Sequence, residues 1–122
     1  MKEIRYQLVK INVPERGTRV RFSADTDKMY KQITGLYVSV PDEVLHGSTI
    51  ELKISDKEIF PEDFEVKMIS SSLNVSPNER FYDKIQEEAV GNRIEGRYND
   101  SSKAISYPYT ALLYVRLEER TQ

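Results

Sequence analysis

The stretch from Ser106 to Glu118, SYPYTALLYVRLE, is the longest run in the chain with few charges and many β-branched, aromatic and aliphatic residues, and it reads as a strand. Alternation puts Tyr109, Ala111, Leu113, Val115 and Leu117 on one face and Thr110, Leu112, Tyr114 and Arg116 on the other. Both faces are partly apolar. A strand with one face in water shows a clean polar row, so this one is expected at the centre of a sheet, or covered on its second face by another layer or chain.

The segments before it repeat the strand pattern at short spacing. From Glu3 to Val13 the alternation runs Ile4, Tyr6, Leu8 and then changes phase to Val9, Ile11, Val13, which is the pattern of a β-bulge. Pro14-Glu15-Arg16-Gly17 is a tight turn, and Thr18, Val20 and Phe22 answer the first strand, giving an expected hairpin with Arg19 and Arg21 on the opposite face. Ser23 to Gln32 reads as a polar loop that carries Met29 and Tyr30 inward, followed by a strand over Ile33 to Val40 with Gly35 at a bulge or close approach. Thr49 to Ser55 alternates Ile50, Leu52, Ile54 with Glu51 and Lys53. A short run at Glu58 to Pro61 precedes another alternating set, Phe64, Val66 and Met68, and Pro61 suits an edge or a bend between sheets. Ser70 to Asn78 reads as the longest loop. Residues 79–90 suggest one short helix with Phe81, Ile85 and Ala89 on one side. Gly91 to Tyr98 is a strand with Ile94, Gly96 and Tyr98 in phase, and Asn99 to Ser102 turns the chain into the last strand.

Seven to eight short strands with at most one short helix near residues 79–90 predict an all-β domain spanning 1–122, a β-sandwich or jelly-roll-like arrangement, with a five-stranded open barrel as the alternative. The chain contains no Cys, which excludes disulfides, zinc-thiolate sites, iron–sulfur clusters and thiol nucleophiles. Neither a signal-peptide pattern nor an apolar run of membrane-spanning length is present, so the expected location is the cytoplasm or a virion, with no membrane partner.

Chemistry is sparse. The single His46 follows Pro41-Asp42-Glu43 in an expected loop, and no imidazole cluster can form. Asp25-Thr26-Asp27 begins like a calcium loop but lacks the later ligands, and Glu62, Asp63 and Glu65 read as a solvated acidic loop. No nucleophile elbow, phosphate-binding loop or dinucleotide fingerprint occurs. The expectation is therefore a non-enzyme with no catalytic residues, no cofactor and no metal.

Charge is unevenly spread. Residues 1–22 hold six basic side chains against two acidic ones, and residues 41–65 hold eight acidic against two basic. This split suits electrostatic complementarity between copies of the chain. The expected function is a structural or assembly subunit that contacts other protein subunits, as a homo-oligomer or within a larger complex such as a virus or phage particle. The candidate interface is Leu112, Tyr114 and Arg116 with Arg19, Arg21, Glu62 and Asp63. The alternative is a ligand-binding β-module. Single-stranded nucleic acid is disfavoured for it, because Phe22 and the flanking arginines point to opposite faces. Carbohydrate stays open through Tyr107-Pro108-Tyr109, Tyr114 and the Phe81-Tyr82 pair, although the chain has no Trp.

Overall fold

Alternating burial along each strand organises the structure, a computed structural model that describes residues 3–70, 82 and 85–120, with only the backbone of Arg120. The strands are β1 (Ile4–Val13), β2 (Arg19–Asp25), β3 (Tyr30–Ser39), β4 (Thr49–Ile54), β5 (Lys57–Glu65), β6 (Glu87–Glu88), β7 (Arg93–Asn99) and β8 (Tyr109–Arg120). Short 3-10 turns lie at Asp42–Val44 and Val66–Ile69. Two four-stranded sheets result, in the orders β1-β8-β3-β6 and β2-β7-β4-β5, with every paired neighbour antiparallel. The fold is a β-sandwich.

Inward rows from both sheets build one core. The first sheet supplies Val9, Ile11, Val13, Ile33, Leu36 and Val38, together with the β8 row Ala111, Leu113, Val115 and Leu117. The second supplies Phe22, Ile50, Leu52, Ile54, Phe60, Ile94 and Tyr98. β8 is paired on both sides, to β1 and to β3, as its apolar character on two faces requires. Gly35 sits where the β3–β8 register shifts, and Pro61 lies on β5, an edge strand, where its missing N–H costs no ladder bond.

Several local expectations are corrected. β1 and β2 are not a hairpin. β1 pairs with β8 and β2 with β7, so the Pro14–Gly17 turn carries the chain from one sheet to the other, with Gly17 at φ +72°. β1 has no bulge either: its register against β8 runs unbroken from Ile4↔Glu118 to Val13↔Tyr109. The uninterrupted ladder keeps Ile4, Tyr6 and Leu8 in the outward phase, where 48%, 47% and 43% of their surfaces are exposed. A change of apolar phase therefore marked a strand that is apolar on different faces along its length. Val66 and Met68 belong to a 3-10 turn rather than a strand, while β5 runs through Pro61 as one element. Met29 is exposed, because a turn closed by Asp27 Oδ1 on the Met29 N–H (2.8 Å) points it outward. Within the expected helix, Glu87 and Glu88 pair with Ile33 and Gln32 as β6 and Tyr82 bridges to Leu36, so these residues extend the first sheet. Residues 79–81, 83 and 84 of that segment, and 71–78 of the expected long loop, lie outside the described residues.

Candidate interaction surface

The outward rows of the first sheet form a face of mixed aliphatic and aromatic residues. Register places Lys10, Leu112 and Ser39 in one row, then Leu8, Tyr114 and Tyr37, then Tyr6, Arg116 and Gly35, then Ile4, Glu118 and Gln32. The Tyr37 and Tyr114 rings lie 5.9 Å apart at 31°. Leu112, Tyr114 and Arg116 are each half-buried on this face. Arg116 lies across Gly35, where a Cβ would come within 3.0 Å of its guanidinium carbon. Its Nε donates to Thr34 Oγ1 at 3.1 Å and its Nη2 to the Thr34 carbonyl at 2.7 Å. The bulge at Gly35 thus leaves both the room and the acceptors that hold a planar cation flat among tyrosines.

The other four candidate residues lie elsewhere. Arg19 and Arg21 are exposed on β2, at one edge of the second sheet, and Glu62 and Asp63 are exposed on β5, at its opposite edge. The outward face between them is charged, with Arg21, Arg97 and Glu51 in one row and Ser23, Glu95 and Lys53 in the next. A shallow depression of about 330 Å³ lies over these two rows. The seven residues therefore occupy three separate surfaces, with the basic and acidic sets at opposite edges of one sheet. His46 is exposed in the turn before β4. Asp25 pairs with Arg93 at 3.6 Å and Asp27 with Arg5 at 3.0 Å, so both acids of the Asp25-Thr26-Asp27 segment have cationic partners. Among the described residues, no group of three or more His, Cys, Asp or Glu is placed to hold a metal ion. Nor is any described helix long and apolar enough to cross a membrane.

A polar cluster closes one end of the sandwich, and sequence reasoning missed it. Asp100, just after β7, accepts hydrogen bonds from the Tyr107 hydroxyl (2.6 Å), the Tyr109 hydroxyl (2.5 Å), the Gly17 N–H (2.9 Å) and the Ser102 N–H (3.2 Å). Tyr98 and Tyr109 share a further hydroxyl contact at 3.0 Å. Burial pushes the Asp100 carboxyl up, but these four donors more than offset it and hold the group below its ordinary value. Tyr98, Tyr107 and Tyr109 are all pushed up, first by burial, and Tyr107 and Tyr109 also by donating to Asp100. A carboxylate with both oxygens so engaged is a poor proton acceptor, and its work here is to clamp the β7–β8 loop to the β1–β2 turn. The hydroxyls of Tyr107 and Tyr109 are spent on this clamp. The sequence signal was the Asn99-Asp100 turn with Tyr98 before it and Tyr107 and Tyr109 after it, which says nothing of a shared acceptor.

The outer face of the first sheet was only half visible in sequence, because the expected bulge after Leu8 put Ile4, Tyr6 and Leu8 on the same face as Val9, Ile11 and Val13. Comparison with protein-family models, with curated proteins and with solved structures finds no match for this chain.

Proposed function

We propose that this chain is a non-catalytic assembly subunit, one that holds other protein subunits through the outer face of the β1-β8-β3-β6 sheet, as a building block of a larger complex such as a virus or phage particle. One observation carries the reading. Ile4, Tyr6 and Leu8 are exposed side by side and run on into Leu112, Tyr114 and Tyr37 around the pinned Arg116. Aromatic residues and Arg dominate the centres of protein interfaces, while Lys and acids collect at their rims. Here Lys10 and Glu118 stand in the outer rows and the tyrosines in the inner ones. Covering such a face removes apolar surface from water at about 25 cal/mol per Å².

The test is a pair of substitutions, Tyr114→Ala and Leu112→Ser, with mass in solution followed by light scattering and stability by chemical unfolding. Assembly is expected to weaken roughly tenfold or more while the unfolding midpoint moves little, since both side chains lie outside the core. Equal loss of assembly and folding would sink the reading. Tyr6 beside Arg116, with the Tyr37–Tyr114 pair in the next row, favours a second reading, a module that stacks carbohydrate or single-stranded nucleic acid on this face. A monomer at every concentration with a ligand-dependent rise in melting temperature would put that reading first.

A further inference from the structure

The four sheet edges differ in how they are guarded against pairing with another chain. β5 carries Pro61, a left-handed Asp63 (φ +67°) and the acids Glu58, Glu62 and Glu65, all of which discourage a new strand. β6 has only two residues, and β2 carries Arg19, Arg21 and Asp25 among its seven. β1 is different. It is ten residues long, contains no Pro, keeps an unbroken register and presents Ile4, Tyr6 and Leu8 on its outward face. A long, straight, apolar edge strand is a template for strand addition.

We propose that β1 pairs antiparallel with β1 of a second copy about a two-fold axis at Gln7, joining two first sheets into one continuous eight-stranded sheet. The proposal rests on the assembly reading and names its contact. Area favours an edge contact over a purely face-to-face one. Four rows across three strands cover roughly 27 by 14 Å, or roughly 400 Å², whereas a stable interface takes about 800 Å² from each partner. Edge pairing adds the length of the strand and fuses the two apolar faces. Charge fixes the register. Directly opposed antiparallel residues share a face, so the axis must fall on a residue. At Gln7 it sets Tyr6 against Leu8 of the second copy and Ile4 against its Lys10, beside Glu118, the β8 neighbour of Ile4. At Leu8 it would bring Lys10 beside Arg116, a like charge. At Tyr6 it would carry Lys10 past Ile4 and away from Glu118.

Because the chain has no Cys, single-cysteine variants report this register directly. Tyr6→Cys and Leu8→Cys are prepared separately, checked for an unchanged unfolding midpoint, and oxidised mildly alone and as a mixture. Opposed positions with Cα atoms about 4.5–5.5 Å apart are within disulfide reach, so a linked dimer is expected in the mixture and at several-fold lower yield in either variant alone. Leu8→Lys in the otherwise unsubstituted chain is expected to weaken dimerisation at least tenfold. Linkage strongest in one variant alone overturns the register. Assembly of the unsubstituted chain with no linkage in the mixture overturns the strand pairing and leaves the assembly reading standing, whereas a chain that is monomeric at every concentration overturns both as self-assembly.

Discussion

At the scale of single residues, Asp100 and Gly96 matter most, for opposite reasons. Asp100 matters through what it accepts. Its carboxyl is held below the ordinary 3.8 by donors that only the fold gathers, the Tyr107 and Tyr109 hydroxyls and the Ser102 N–H from its own connection and the Gly17 N–H from the β1–β2 turn. The unfolded chain therefore binds this proton more readily than the folded one. The stabilisation is complete above the unfolded value and is lost as the pH falls through it towards the lower folded value. Asp100→Asn is expected to lower stability at neutral pH by about 1–3 kcal/mol and to flatten the acid limb of stability against pH, as urea unfolding at a series of pH values would read. An unchanged acid limb would remove Asp100 as its cause. Gly96 matters through what it lacks: a Cβ there would lie 1.9 Å from the Glu51 carbonyl oxygen and 3.0 Å from the Phe22 ring. Since backbone must move to admit it, Gly96→Ala is expected to cost about 1–3 kcal/mol. Gly35→Ala, which meets the Arg116 side chain rather than backbone, should cost less, since displacing the guanidinium strains its two bonds to Thr34 but moves no strand, and the same unfolding series compares the two. The alternation of Ile94, Gly96 and Tyr98 placed Gly96 inward correctly. That a neighbouring strand's backbone passes so close could not be read from it.

At the scale of elements, β8 was legible in its two faces, though not in its bounds: the strand expected over Ser106 to Glu118 begins at Tyr109 and runs to Arg120. Its inward row of Ala111, Leu113, Val115 and Leu117 is buried, and it lies between β1 and β3, as two partly apolar faces demand. The two faces should separate by energy. Leu113→Ala removes a fully buried side chain and is expected to cost about 2–5 kcal/mol, while Leu112→Ala on the outer face should cost less than about 1 kcal/mol, with denaturant midpoints as the measure. Similar costs for both would mean that the outer face is packed as a core. β1 was legible as a strand but not in its orientation. A phase change within an alternating run is consistent with a bulge or with two differently apolar faces, and only the ladder with β8 decided for the second. β6 was missed because Glu87 and Glu88 favour helix by propensity, and the open edge of β3 overrides so weak a local preference.

At the scale of the whole molecule, the sequence's charge split becomes a spatial one, since β2 with its arginines and β5 with its acids form opposite edges of one sheet. Any association that uses those edges should weaken as salt rises from low to physiological levels, because exposed charges are screened beyond about 8–10 Å. Contacts through the first sheet's face should persist. Light scattering across ionic strength separates the two contributions, and association indifferent to salt would show that the charged edges take no part. What the sequence determined by itself was the all-β class, the β8 strand with its two faces, the inward rows of β4 and β7, and an edge or a bend at Pro61, because alternation and the missing proline N–H are local properties of the chain. Tertiary structure alone decided that the first two strands part into different sheets, that Ile4, Tyr6 and Leu8 stay in water, and that three tyrosines gather near Asp100. Those outcomes turn on which strands win the competition for β8 and β7 as partners, and residues 68 to 114 positions apart in the chain decide that competition.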